Sequence, residues 1–505
     1  MNQANLLLLN TGATFARMAA SVVLGLWTTR IAYQELGREG FGAYAAALAV
    51  VMLLPVLLEA FSSSAQRHIA YAIGAADADE VHKVSGTFVT LSLAAAAVFA
   101  AVIFTAAPLL SAPLQAAPPH ADRLSAALVW IGVMTSFVIA QAPYRSYLIA
   151  RQSIALLTGF EMLESIARFG AAAMLLWKVG PTIVDYARYT TIAVGIPTMF
   201  VLAWCTIRYS ACRPTTPTRV GLIAAMGAWI TLGLAGWKLR TQGVQVAINT
   251  LYGAAETASY NVGLQLALYQ NNLSSAVYRA VRPATISAQG RGKTQHVRQL
   301  AISSSKLISI GTLIAAGPLL FETRTILTYW IGEAPDDMVT MARLLVGWIA
   351  LKDLSIGHLT AIHADGRVAR HEALVLGIDL VALTAGCAAA ISGAPVWVLP
   401  MAAMLAVIGH GVMRVMLYSD VAALTPRDWA SSVLAPWASV AAGVAIVSAL
   451  LIGLLEPTVT RLVLVVAGTA LVSAFMTYIV VFDAEERRRL WEAVQGARRR
   501  LSGIS

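Results

Sequence analysis

Arg17 lies inside an apolar run, and Asn10, Thr14, Ser21 and Thr28 share its side of a helix by their spacings of three, four and seven residues. The pattern returns in Asn261, Gln265, Asn272 and Arg279, and a third stripe holds Thr231, Lys238, Gln242, Gln245 and Asn249. Cations flanked by amides and hydroxyls can hold an anion, because guanidinium and ammonium groups supply both charge and N–H donors. Helix-to-helix hydrogen bonding accounts for the hydroxyls and amides. It accounts poorly for Arg17 and Lys238, since a cation several turns inside a membrane helix costs at least about 2.5 kcal/mol unless it meets water or a partner. A water-filled cavity lined by cations is the expectation. Arg30, Arg240 and Arg279 lie nearer helix ends, where snorkelling to headgroups competes.

Carboxylates accompany these cations. Glu161, Glu164 and Arg168 fall on one helix face, which predicts a Glu164–Arg168 pair and leaves Glu161 over. Glu59, Lys352 beside Asp353, Asp379, and His410 with Arg414 complete the set. A buried carboxyl that is not fully paired can carry a proton or cation between leaflets, so Glu59, Glu161, Asp353 and Asp379 are candidates for ion coupling. "GRGKT", Gly290 to Thr294, ends like a phosphate-binding loop, but Ser287 stands where the first glycine belongs. The histidines, such as His358 and His363, show no metal spacing, and no nucleophile, base and orienter assemble from neighbouring residues. No metal, cofactor or bond-breaking chemistry is expected.

The elements that must position these side chains follow from composition. The 505 residues are 58% hydrophobic and 12% charged, too apolar for any soluble surface. Runs long enough to cross about 30 Å of hydrocarbon recur throughout. They predict an all-α polytopic membrane protein of about fourteen helices at 5–32, 40–66, 84–109, 124–148, 153–177, 183–207, 220–251, 257–281, 300–320, 339–361, 373–391, 396–417, 431–454 and 461–482. Arg67 and Lys83, Arg145 and Arg151, Arg208, Arg213 and Arg219, Arg282 to Arg298, and Arg367 and Arg370 fall in alternate loops, as does the C-terminal basic run. Basic loops stay cytoplasmic, so both termini are expected there, and the net charge of +10 reads as topology rather than nucleic-acid binding. The first span lacks the form of a cleavable signal peptide, since Arg17 interrupts its core. Cys205, Cys212 and Cys387 are expected as free thiols.

The chain repeats itself. "ELGREGFGAYAAALAV" after the first span resembles "TLYGAAETASYNVGLQL" after the seventh, with Tyr44 on Tyr260 if one residue is inserted. Two pseudo-symmetric six-helix lobes follow, at 1–213 and 214–425, with two extra helices at 426–483 and a basic cytoplasmic tail at 484–505. Duplicated halves with a site at their interface are a usual transporter arrangement. The Arg- and Leu-rich tail suits an interfacial helix on anionic headgroups. In the junction after span one, Arg30 closing one helix and Glu39 opening the next complement the helix dipoles.

That junction, "LGREGFGAYAAALAV", also resembles the signature after the first helix of bacterial oligosaccharide and polysaccharide flippases of the O-antigen type. These belong to the multidrug, oligosaccharidyl-lipid and polysaccharide exporter superfamily. The resemblance implies two lobes around a V-shaped cavity that opens alternately to each side of the cytoplasmic membrane. The implied substrate is an undecaprenyl-pyrophosphate-linked oligosaccharide moved to the outer leaflet for O-antigen, capsule or exopolysaccharide assembly. The implied pyrophosphate ligands are Arg17, Arg30, Lys238 and Arg279, and Asn10, Thr14, Gln242, Asn249, Gln265 and Asn272 would line the cavity. A proton or sodium gradient would drive it, with membrane lipids, a polysaccharide polymerase and chain-length machinery as partners. Twelve spans are usual in that branch and fourteen in the peptidoglycan-precursor branch, so the helix count leaves the branch open. A multidrug antiporter of the same superfamily should show acidic faces to a cationic drug. A membrane glycosyltransferase or polymerase would need outer carboxylates, for which Glu322, Glu333, Asp336 and Asp337 are available.

Overall fold

The computed structural model describes residues 3–55, 66, 68–75, 77–118, 120–218, 231–421, 423–482, 487, 488, 491 and 495, and leaves aside the side chains of 3–16, 273, 276, 279 and 280. The described chain is helical: α1 (Gln3–Leu53), α2 (Ala78–Ser111), α3 (Ala121–Ala150), α4 (Ile154–Ala173) and α5 (Ile183–Arg208). Helical residues 231–238 then run through a π-turn, Leu239–Gly243, into α6 (Val244–Tyr252). The remainder comprises α7 (Ala254–Gly290), α8 (Thr294–Phe321), α9 (Thr323–Ile331), α10 (Asp336–Lys352), α11 (Ile356–Asp365), α12 (Val368–Ile391), α13 (Val398–Leu417), α14 (Ala435–Leu454) and α15 (Val459–Met476). This is an all-α polytopic membrane protein with about fourteen spans.

Among the described residues, nine helices are long and apolar enough to cross a membrane. Three expected spans fall short of that standard for reasons that bear on function. Glu161, Glu164 and Arg168 charge α4, amides such as Asn261, Gln265 and Asn272 dilute α7, and a short 3-10 turn at Asp353–Ser355 divides α10 from α11.

Contacts divide the chain into two units. The first comprises Met1–Val262, Trp330–Met338 and Val368–Ala403; the second comprises Gly263–Tyr329, Val339–Arg367 and Met404–Ser505. In the first unit, Phe88 of α2, Tyr144 and Tyr147 of α3, and Val201 and Cys205 of α5 share a core with Cys212. Cys205, Cys212 and Cys387 are free thiols.

The junction of spans one and two lies within α1, which breaks at Gly37 with φ 70° and ψ 171°. Gly253 makes the same break between α6 and α7, with φ 94° and ψ −178°. That conformation is essentially confined to glycine. Tyr44 and Tyr260 follow their glycines by the same seven residues and are both buried. The inserted residue of the repeat therefore falls before Gly253.

The two breaks are packed together. Arg38 donates from Nε to the Ala255 carbonyl (3.1 Å) and from Nη2 to Glu256 Oε1 and Ser259 Oγ (2.9 Å each). Arg30 donates to the Trp330 carbonyl (2.8 Å), and Glu39 is exposed in the first turn beyond Gly37. A Cβ on Gly42 would sit 1.8 Å from the Ala254 carbonyl oxygen. Backbone cannot yield there as a flexible side chain would, so Gly42→Ala is expected to cost about 1–3 kcal/mol through overpacking. Thermal unfolding in detergent should show a lower midpoint than wild type, and an unchanged midpoint would mean the crossing is loose.

In the second unit α14 and α15 pack on α8, and Ile310 and Leu313 of α8 share a core with Val440 and Val444 of α14 and with Val481 just beyond α15. A buried ion pair adds to this contact. Arg461 Nε lies 2.6 Å from Glu322 Oε1, its Nη2 donates to Glu322 Oε2 (2.8 Å) and Thr325 Oγ1 (3.2 Å), and its Nη1 reaches the Leu455 carbonyl (3.2 Å). Glu322 is thereby engaged, and Glu333 accepts the Tyr33 hydroxyl. Glu322, tied to Arg461, is not available for the acid and base work that a glycosyltransferase would ask of it.

Candidate functional site

The helices α1, α3 and α4 of the first unit bring three charged side chains to one point. Glu161 of α4 accepts from two arginines, one on each oxygen: Arg17 Nη1 of α1 on Oε2, and Arg145 Nη2 of α3 on Oε1. One helical turn along both α1 and α4, Ser21 and Ser165 hydroxyls meet at 3.3 Å, so the helices are in register over two rungs. Glu164 is occupied separately, accepting Arg168 Nε at 3.1 Å and Nη2 at 2.9 Å as the four-residue spacing predicts. Glu161 is not left over. The five groups together carry one net positive charge.

The cluster borders a small cleft lined by Gln141, Arg145, Phe160, Glu161, Glu164 and Pro197, among others. The cleft is open to its surroundings, and its deepest part has room for about one water molecule. Arg17 Nε is buried with no hydrogen-bond partner, an orphan donor on a side chain that already gives Nη1 to Glu161. Buried polar groups without partners are uncommon, and a ligand oxygen would satisfy this one. Chemically, the site is a cationic pair held around an internal carboxylate.

A second charged site lies where residues 231–243 pack on α12. Arg240 Nη1 bridges both oxygens of Asp379, at 2.6 and 2.8 Å, and the two residues are 7% and 3% exposed. The guanidinium also lies 5.6 Å from the Trp237 ring centroid. Snorkelling is excluded for Arg240, because it is buried with its counter-ion. Gly233 and Gly236 make the approach feasible: a Cβ would fall 2.2 Å from Glu372 Oε2 at the first and 2.7 Å from Asp379 Oδ2 at the second. Arg240 sits in the π-turn, and Tyr260 donates its hydroxyl to the carbonyls of Arg240 (3.3 Å) and Thr241 (3.1 Å). A π-turn leaves main-chain carbonyls without their usual helical partner, and Tyr260 supplies one.

No family model matches this sequence, and no curated protein matches it by sequence. Solved structures do match by fold. A lipid II flippase MurJ structure in an inward closed conformation superposes with a TM-score of 0.69 at 13% identity, covering 94% of this chain and 98% of that one. An inward-facing multidrug resistance MATE transporter of the MOP superfamily gives 0.68 at 14% identity, covering 79% of this chain and 95% of that one. A MOP superfamily transporter from Pyrococcus furiosus, described as having a binding pocket of reversed polarity, gives 0.59 at 14% identity over 80% and 95%. The chain shares the fold of these transporter structures.

Within this fold the other expected site residues are dispersed. Arg17 and Arg30 share α1 thirteen residues apart, about 20 Å along the axis at 1.5 Å per residue, so one diphosphate cannot touch both at once. Lys238 and Gln242 are half-buried, one at the entry to the π-turn and the other within it. Asn249 is buried and spends its amide on the Gln115 main chain, accepting from its N–H at 2.8 Å and donating to its carbonyl at 3.1 Å. Gln265 is half-buried and Asn272 exposed, both in the second unit. Asp353 is fully buried there between Lys352 Nζ (2.8 Å) and Ser274 Oγ (2.6 Å). Asn10, Thr14 and Arg279 have side chains outside the described set, and Glu59 lies outside the described residues altogether.

Arg145 is the residue that sequence reasoning missed, having been assigned to a topology-setting loop. It lies five residues inside α3, and a span ending at 148 already contained it. A cation within a span was the available signal.

Proposed function

We propose that this protein is a flippase that moves a polyprenyl-pyrophosphate-linked oligosaccharide across the bacterial cytoplasmic membrane by alternating access, driven by a proton or sodium gradient. The carrying observation is the Arg17–Glu161–Arg145 cluster: two guanidinium groups from different helices, one net positive charge, and a buried, unsatisfied Arg17 Nε. Guanidinium groups bind phosphoryl oxygens in pairs through charge-assisted hydrogen bonds. Four described acids of the spanning helices favour the same reading over a drug antiporter. Glu161, Glu164, Asp353 and Asp379 are each held by a cation of the chain, so a cationic drug would compete with a tethered arginine or lysine at each of them.

On this reading both termini are cytoplasmic, and Lys238, Arg30 and Arg279 are later contacts along the path of the diphosphate. The sugar passes the amides, and the released glycan is handed to polymerase and chain-length machinery. Asp379 with Arg240 and Asp353 with Lys352 are the places to look for ion coupling. The flippase match spans 94% of the chain against 79% for the drug transporter, which adds weight to a lipid substrate.

Native mass spectrometry of protein extracted from its own membrane in mild detergent tests the proposal. A bound mass equal to a polyprenyl pyrophosphate plus sugars is expected. Phospholipid alone, together with gradient-driven efflux of a lipophilic cation from vesicles, would replace the proposal with the antiporter reading.

A further inference from the structure

We infer that Glu161 is an internal competitor for the substrate's phosphoryl group, occupying Arg17 and Arg145 when no substrate is bound and reclaiming them when it leaves. The inference rests on the flippase reading above and assigns the regulation of that site. Three observations carry it. The carboxylate offers one oxygen to each guanidinium, which is how a phosphoryl group would bridge the same two donors. Glu161 and Arg145 line the same cleft, so an anion that enters it to reach this guanidinium meets the carboxylate already bound there. Arg17 Nε, buried without a partner, is a donor that Glu161 leaves unused and that a tetrahedral anion can reach once the carboxylate has moved.

The physical consequence concerns release more than capture. Two guanidinium groups with no competing anion would hold a diphosphate tightly, and a tightly held substrate stalls a transporter. A carboxylate fixed on α4 lowers that affinity by the hydrogen bonds that must be broken before binding. It shortens the bound lifetime by supplying a replacement ligand at once. The groups facing Glu161 are Arg17 from α1, Arg145 and Gln141 from α3, and Glu164 with its partner Arg168 on its own helix, while α5 presents the uncharged Pro197 and Val201. Glu164 is committed to Arg168 and does not substitute for Glu161.

The test is binding of inorganic pyrophosphate to full-length protein in detergent by calorimetry, with wild type, Glu161→Gln, Glu161→Asp and Glu161→Gln combined with Arg145→Ala. Glu161→Gln should bind about tenfold tighter or more, since a charge-assisted hydrogen bond no longer has to be given up. The double variant should lose that gain, and Glu161→Asp should stay within a few-fold of wild type. In vesicles, Glu161→Gln should bind substrate well but turn over slowly. Equal or weaker binding by a folded Glu161→Gln, with wild type still binding, overturns the competitor role and leaves the flippase reading standing. A Glu161→Gln protein that unfolds, with Glu161→Asp binding tighter than wild type, overturns it as well. Failure of wild type and variants alike to bind pyrophosphate, together with failure to retain any polyprenyl pyrophosphate, removes the flippase reading itself.

Discussion

Export of surface glycan should fall at least about a hundredfold when Arg17 and Arg145 are both replaced by alanine, while the protein remains inserted at normal level. Each guanidinium offers charge-assisted hydrogen bonds to phosphoryl oxygen, about 1.5–3 kcal/mol apiece. Losing both removes roughly 3–6 kcal/mol, which corresponds to a factor between about 10² and 10⁴. The single variants should show intermediate losses. Lysine at either position keeps the charge but not the planar fork, so Arg17→Lys should recover only part of the activity. The double variant leaves Glu161 without a cation near hydrophobic surroundings, so abundance in the membrane must be measured beside export. Normal export by a well-expressed double variant would remove the site from the mechanism.

The largest stability effect is expected in the second unit. Arg461→Leu leaves Glu322, 1% exposed, without its counter-ion, and breaking one side of a buried pair costs about 3–5 kcal/mol. Glu322→Leu should cost a similar amount. Replacing both with leucine removes the stranded charge and should restore most of the loss, because well-packed apolar pairs often equal a buried ion pair. Thermal unfolding of the four proteins in one detergent gives the cycle directly. The expected pattern is two strongly lowered midpoints and a double variant close to wild type. Additive losses in the double variant would show instead that Thr325 and the Leu455 carbonyl depend on Arg461 for more than charge balance.

Much of the fold is legible in the sequence because a membrane protein writes its helices as hydropathy. The match between the two helix junctions was readable because Gly37 and Gly253 adopt a conformation that few other residues reach, and Tyr44 and Tyr260 follow at equal distance. The polar stripes located the helices that matter, and the four-residue Glu164–Arg168 pair was predictable from helix geometry alone.

The partners of the remaining charges were not legible. Arg17 and Glu161 are 144 residues apart, and Arg240 and Asp379 are 139 apart. No local pattern encodes such pairings. Gly233 and Gly236 are a partial exception, since small residues on a helix face mark close approach, but they do not say what approaches. The π-turn at Leu239–Gly243 was likewise invisible, and its partners Tyr260 and Asp379 lie about 20 and 139 residues away in the chain.

The most direct measurement is transbilayer movement of a polyprenyl-pyrophosphate-linked oligosaccharide in proteoliposomes under an imposed proton or sodium gradient. The account predicts that the lipid-linked sugar becomes accessible to an impermeant glycan-modifying enzyme on the opposite face, at a rate that collapses in Arg17→Ala/Arg145→Ala. No movement above that of protein-free vesicles, with the same preparation extruding a lipophilic cation, would contradict it.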